Sequence, residues 1–375
     1  MDRRTFLCYR VGFLDLPASE LQTCLSRVRD GASWWQTFED AARRLEDLAR
    51  GALREGRRLS AAEAWLWSAA AHQASSLGWH LERQPDRPGG KAVLKQRRRA
   101  ISSYRRALAL DPRLGEPLEL VLEEGGGTVQ GYLRRPRRRG APLVVLLNGL
   151  DSLCEAELHA FGNRLLSRGM AVLALDLPGT FGSSPRRPLH RLEAVARKLA
   201  VALIEKAGAG PPWGAFGVSF GGYLVARLMA GEEGFKAGVA VSPPARIPAP
   251  LVAPRDRFRR MLEVAFDAAE GGGLEALAEE VRVDGLGPPA GRLRVYQMEG
   301  DELFGGSHAR ALRAWAGEAA EIRRVPGEHV ATSRIHQWLP EACDWLGDAL
   351  RAAREGGGTS WRAPAGAAAA HCAGV

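Results

Sequence analysis

From Leu118 onward the chain carries eight short apolar runs: "LELVLEE", "VQGYLRRP", "PLVVLLNG", "MAVLALDLPG", "WGAFGVS", "AGVAVSPP", "LRVYQMEG" and "EIRRVPGEH". Most are separated by intervals long enough for a helix. Strand-length runs alternating with helix-length intervals imply a largely parallel sheet with helices on both faces, an α/β fold. The first two runs lie close together, as an antiparallel start to the sheet would. After "AGVAVSPP" comes a proline-broken insertion and then helical sequence from Arg257 to about Val281, a place for a lid. The tail from Gly356, "GGGTSWRAPAGAAAAHCAGV", is low in complexity and is expected to be mobile.

Within this rhythm, "WGAFGVSFGGYLVARLMA" (213–230) places one serine between an apolar strand-like run and a helix-like run with Leu224, Leu228 and Met229 on one side. The chain must turn from strand to helix within about three residues, which strains the central residue and crowds its neighbours. Gly217, Gly221 and Gly222 supply the room. The pattern G-x-S-x-G, in the strand-before and helix-after setting it requires, is a nucleophile elbow that lifts the Ser219 hydroxyl above the sheet edge.

Residues 20 to about 110 read as helical. Trp34, Phe38, Ala41, Leu45 and Leu48 recur at spacings of four and three, which stacks them on one face. Ser60, with Glu63 three residues on, looks like a capping box opening a second helix, and a third runs from about Lys95 to Leu110. His72 and His80 could be ligands in principle but read as packing or surface residues, and Trp65 and Trp67 read as core.

The chain has 375 residues, 46% hydrophobic and 25% charged, an ordinary globular balance. Its formal charge of +9 gathers partly at Lys95–Arg99 with Arg105 and Arg106, and at Arg134–Arg139. Neither cluster is interleaved with aromatics, so both read as solvated faces and nucleic acid is not expected as a partner. Five widely spaced cysteines suggest neither a disulfide framework nor a metal site and fit a reducing cytoplasm. "DRRTFLCYR" superficially matches a twin-arginine export signal, but Arg10 and Asp15 break its apolar run. No stretch approaches the length of a membrane span.

A serine hydroxyl needs a base to take its proton and a carboxylate to orient that base. "LRVYQMEG" ends directly at Asp301 and "EIRRVPGE" at His329, so Ser219, Asp301 and His329 are expected at one edge of the sheet. Glu299 and Glu302 are rival acids, and His308 and His336, both in helical sequence, are rival bases. An oxyanion needs two donors. The backbone N–H of Phe220 is one candidate and that of Leu150, after Gly149 in "VVLLNGLDS", the other. "DLPGTFGSSP" is a second glycine-rich loop at that edge, which a plain tight turn explains equally well.

Residues from about 118 to 350 resemble the α/β-hydrolase superfamily, on "NGLDS", "DLPGTFGSS", "GVSFGGY", "GDELFGGSHARAL" and "GEHV". Together with "GYLRRP", the amino-terminal helices resemble the branch of 2,6-dihydroxypseudooxynicotine hydrolase, the fungal polyketide-shortening pigment hydrolases and the fermentation-respiration switch protein. The resemblance implies an α/β-hydrolase fold with an N-terminal helical cap domain at 1–115, a catalytic domain at 116–352 and a tail at 353–375. It also implies a cofactor-independent, metal-free hydrolase acting on a ketone C–C bond or an ester of an aromatic or polyketide-like molecule in secondary metabolism. Acyl transfer or cyclisation with the same triad, and non-catalytic binding, are the alternatives. No membrane partner is expected, and a homodimer is compatible with the sequence. Residues 235–255 contain no carboxylate, so an auxiliary acid beside the elbow strand is not expected there.

Overall fold

All eight apolar runs pair into one sheet, with the first and the last at its two edges. The computed structural model describes residues 2–81, 91–122, 127–137, 140–176, 200–231, 233–246 and 281–356. The expected lid before Val281, most of "DLPGTFGSSP" and the tail from residue 357 lie outside these residues. The strands are β1 (Glu116–Leu122), β2 (Gly127–Arg134), β3 (Leu143–Leu147), β4 (Ala171–Leu175), β5 (Trp213–Val218), β6 (Phe235–Val241), β7 (Arg292–Met298) and β8 (Ala320–Val325). Their order is β1-β2-β4-β3-β5-β6-β7-β8. β2 is antiparallel to both β1 and β4, and every later pairing is parallel.

Alternation along each strand divides the core between the two faces. Leu143, Val145 and Leu147 of β3 join one apolar cluster, while Val144 and Leu146 join the other. Every residue of β3, β4 and β5 is buried, as expected for strands covered on both sides. Each fully buried Leu, Val or Phe contributes about 1.5–3 kcal/mol. Against one face lies α7 (Phe220–Gly231) and against the other lie α6 (His159–Leu166) and α9 (Ile335–Gly356), with α8 (Gly306–Ala316) between β7 and β8 in sequence. The one-sided apolar pattern expected for 223–230 is not what is found. Among residues 220–230 only Arg227 and Ala230 are part-exposed, because Trp35, Trp79 and Val93 of the N-terminal region share the cluster of Phe220, Tyr223 and Leu224.

That region comprises α1 (Arg3–Val11), α2 (Ala18–Arg29), α3 (Trp34–Arg54), α4 (Arg58–Ser76) and α5 (Lys91–Leu110). Ser33 caps α3 by accepting from the N–H of Gln36. Trp34, Phe38, Ala41 and Leu45 are buried, but Leu48 is 54% exposed. By the last turns the packed stripe has moved to Ala49, which meets Ala64, Trp65 and Ala107. The capping box at Ser60 does not form either, since α4 already starts at Arg58 and Ser60 sits inside its first turn. Two arginines read as solvated are buried. Arg97 is wholly enclosed, and Arg134 donates to the carbonyl of His159 and to Asn163 Oδ1. Charge runs on helices are usually solvated; here three packed helices and a sheet edge leave those two positions inside.

His159 is half-buried beside Arg134, with Nδ1 3.0 Å from Tyr104 Oη. Burial, reinforced by the Arg134 charge, holds its pKa well below the ordinary value. The native state therefore binds fewer protons than the unfolded state as pH falls through about 6.5, and stability drops across that window. Thermal melts from pH 7 to 5 should show a falling Tm, and His159→Gln should flatten that slope. An unchanged slope in the variant means that other groups set the acid limit.

Candidate active site

β5 ends at Val218, and Ser219 follows at φ 55°, a left-handed conformation unusual for a residue with a side chain. Its N–H donates to the carbonyl of Val241 on β6 at 2.8 Å, and its own carbonyl accepts from the N–H of Gly222 at 2.8 Å. The turn closes only because backbones nearly touch. A Cβ on Gly217 would lie 2.1 Å from the carbonyl oxygen of Gly221, and one on Gly221 would lie 2.4 Å from that of Leu147. Side chains at either place would push the serine away from the sheet edge.

β7 and β8 bring the expected partners. Asp301 lies three residues past β7 and His329 four past β8. His329 Nε2 is 2.9 Å from Ser219 Oγ, and its Nδ1 is 3.0 Å from each carboxylate oxygen of Asp301. A carboxylate only accepts, so Nδ1 carries the proton and Nε2 offers its lone pair to the serine hydroxyl. Burial alone would raise the Asp301 pKa, but His329 and the N–H groups of Phe304 and Leu303 outweigh it and hold the carboxyl below its ordinary value. The histidine is fixed by its own strained turn. Val330 and Ala331 have φ of 69° and 44°, and the N–H of Val330 donates to Ser242 Oγ at 3.1 Å.

Glu302 and Glu328 line the same cavity as Ser219 and His329, but the rivals have other surroundings. Glu299 and Glu302 are exposed, His336 is exposed on α9, and His308 Nδ1 accepts from the N–H of Ala245. Glu328 is occupied by Thr332 and Ser333. Of the two oxyanion candidates, Phe220 opens α7 directly after the serine, and Leu150 lies in the turn after β3. That turn abuts the serine, since a Cβ on Gly149 would lie 3.4 Å from Ser219 Cβ. Asp176, the described start of the second glycine-rich loop, faces this turn, with Oδ1 accepting from Asn148 Nδ2 and the N–H of Cys154. Burial pushes the Asp176 pKa up to about 6. It pushes Glu155, close by and accepting from Tyr132 Oη, up to about 8.

Ser219 and His329 line a cavity of about 470 Å³ whose walls include Phe6, Arg10, Phe13 and Phe161. Phe13 and Phe161 meet at 4.6 Å between ring centres. Residues 144–372 match the Alpha/beta hydrolase family, more than half of the chain. The chain belongs to the alpha/beta hydrolase family. Esterase FrsA of Klebsiella pneumoniae is 27% identical over 162 residues, 41% of this chain and 37% of that protein. 2,6-Dihydropseudooxynicotine hydrolase of Paenarthrobacter nicotinovorans is 32% identical over 148 residues, 39% of this chain and 37% of that protein. The aligned stretch thus spans little more than a third of either relative. The crystal structure of 2,6-dihydroxy-pseudo-oxynicotine hydrolase superposes with a TM-score of 0.77 at 20% identity, covering 92% of this chain and 96% of that one. This hydrolase fold therefore extends to the N-terminal helices.

Sequence reasoning missed that α1 reaches the cavity. The signal was a lone arginine in "FLCYRVGFL", a charge inside an apolar run that burial must pair. Arg10 indeed pairs with Asp151 at 2.6 Å and Glu157 at 2.8 Å.

Asp301→Asn keeps the shape but removes the charge that holds Nδ1 protonated. Turnover should fall about 10²- to 10⁴-fold, while Glu299→Gln and Glu302→Gln stay near wild type in steady-state assays. A damaging Glu302→Gln beside a silent Asp301→Asn would move the acid to the next loop position.

Proposed function

We propose that this chain is a serine-nucleophile hydrolase that cleaves a ketone C–C bond or an ester in an aromatic or polyketide-like small molecule. The observation that carries the reading is the continuous relay from Ser219 Oγ through His329 to Asp301, at 2.9 and 3.0 Å. In this reading Ser219 attacks the substrate carbonyl as His329 Nε2 takes its proton, and Asp301 stabilises the resulting imidazolium. The N–H groups of Phe220 and Leu150 receive the oxyanion. His329 then returns the proton to the departing oxygen or carbon. Carbon departure requires a neighbouring carbonyl or electron-poor ring to accept the electron pair. Water, deprotonated by His329, attacks the acyl carbon, and His329 returns that proton to Ser219 Oγ as the bond to the serine breaks and the acid is released.

Relatives named esterase and hydrolase support this reaction class, and the aromatic wall of Phe6, Phe13 and Phe161 supports a flat, apolar substrate. No cofactor is needed for the relay. The division into a cap at 1–115, a catalytic unit at 116–352 and a tail at 353–375 belongs to the same reading, with Phe6, Arg10 and Phe13 of the cap lining the cavity. Four described cysteines are free thiols, which supports a cytoplasmic setting.

A fluorophosphonate reacts only with an activated serine. It should label Ser219 in the wild-type protein and leave Ser219→Ala unlabelled. Turnover in Ser219→Ala should fall on the order of 10⁴-fold or more without loss of fold by circular dichroism. Retention of more than about a tenth of wild-type turnover would exclude Ser219 as nucleophile.

A further inference from the structure

Three helices of the N-terminal region meet on one backbone carbonyl at the sheet edge. The carbonyl oxygen of Asp151, two residues past Gly149, accepts from Arg97 Nη2 of α5 at 2.5 Å. It also accepts from Gln73 Nε2 of α4 at 3.1 Å and from Arg10 Nη2 of α1 at 3.2 Å. The next carbonyl, that of Ser152, accepts from Arg97 Nη1 at 3.4 Å and Asn148 Nδ2 at 3.3 Å. Glu157 ties the far side of the turn, taking Gln73 Nε2 at 3.0 Å on Oε1 and the N–H of Leu153 at 3.0 Å on Oε2. Gln73 and Arg97 are wholly buried, and Arg10 nearly so.

Packing alone does not call for this arrangement. An unbranched apolar side chain would fill the same volume without the desolvation cost of a second buried guanidinium. Burial presses the Arg97 pKa down to about 10 even with Asp151 and Glu157 nearby. What the donors accomplish is positional. They reach the turn from three directions and fix its backbone, where a displacement of about 1 Å can cost 10²-fold in rate.

We propose that Arg97, Gln73 and Arg10 are positioning residues for the oxyanion turn, holding the Gly149–Ser152 backbone against Ser219 only while α1, α4 and α5 are docked. The inference rests on the reading of Ser219 as nucleophile and Leu150 as oxyanion donor. It makes the helical region part of the catalytic scaffold as well as a wall of the cavity.

The test uses the full chain, p-nitrophenyl butyrate as probe substrate, fluorophosphonate titration of active sites and inhibition by an aryl boronate, whose serine adduct is tetrahedral. Arg97→Met should lower kcat per labelled site on the order of 10²-fold, with KM within about threefold and boronate affinity reduced alongside kcat. Arg97→Lys, which keeps a donor, should recover part of both, and Gln73→Met should lower both by roughly tenfold. A purely structural role would instead lower the fraction of labelled sites and leave kcat per site and boronate affinity unchanged. If Arg97→Met does not fold, Arg97→Lys and Gln73→Met decide by the same criterion. Folded variants that stay within about twofold of wild type on both measures overturn the inference and leave the nucleophile standing. A wild-type protein that is not labelled at Ser219 overturns both.

Discussion

The near-contact of Gly217 with Gly221 is the constraint from which the site is built. The strand and the helix that follow one another here approach so closely that a methyl group at either glycine would overlap a carbonyl oxygen. This closeness holds Ser219 at φ 55°, a conformation that costs about 1–3 kcal/mol unless its surroundings fix it. The surroundings do fix it, through the ladder bond to Val241 and the turn bond from Gly222. Because β3 lies beside β5, the same approach brings Leu147 and the Asn148–Ser152 turn against the serine.

Parallel pairing does the rest of the placement. Strands β3, β5, β7 and β8 run in the same direction, so the residues that follow each of them emerge at one edge. No single loop contains the site. Its parts meet because the register of a parallel sheet brings chain separated by more than a hundred residues to within hydrogen-bond reach, as for Ser219 and His329. The histidine turn shows the same economy of support, with Ser242 after β6 steadying Val330 after β8.

On the other side of the cavity the buried charges play the corresponding part. Arg10 and Arg97 bring two cations into the interior, and Asp151 and Glu157 lie beside them. Such a cluster gives little net stability but is costly to leave half-paired, so it disfavours other ways of docking the helices on the sheet. Specific docking of this kind is consistent with a cavity whose aromatic wall comes from both parts, Phe13 from one and Phe161 from the other.

Much of the sheet was legible along the chain. Eight apolar runs became eight strands, and the antiparallel pairing of the first two followed from their short connection. The relay among Ser219, His329 and Asp301 was legible too, because an elbow and residues at strand ends are local patterns that the sheet converts into proximity. Helix faces were less legible. Leu48 fits the apolar spacing yet faces outward, and the helix after Ser219 is buried on sides its pattern left open, since burial depends on what packs against a helix. Arg97 and Arg134 sat in basic runs that looked solvated, and only the meeting of separate elements enclosed them. The sequence by itself determined the strand order's raw material, the turn that must hold a small-residue neighbourhood around Ser219, and the types of side chain at strand ends. The tertiary structure alone decided that α1, α4 and α5 converge on Asp151, because contacts between distant segments leave no period or spacing in the chain to read.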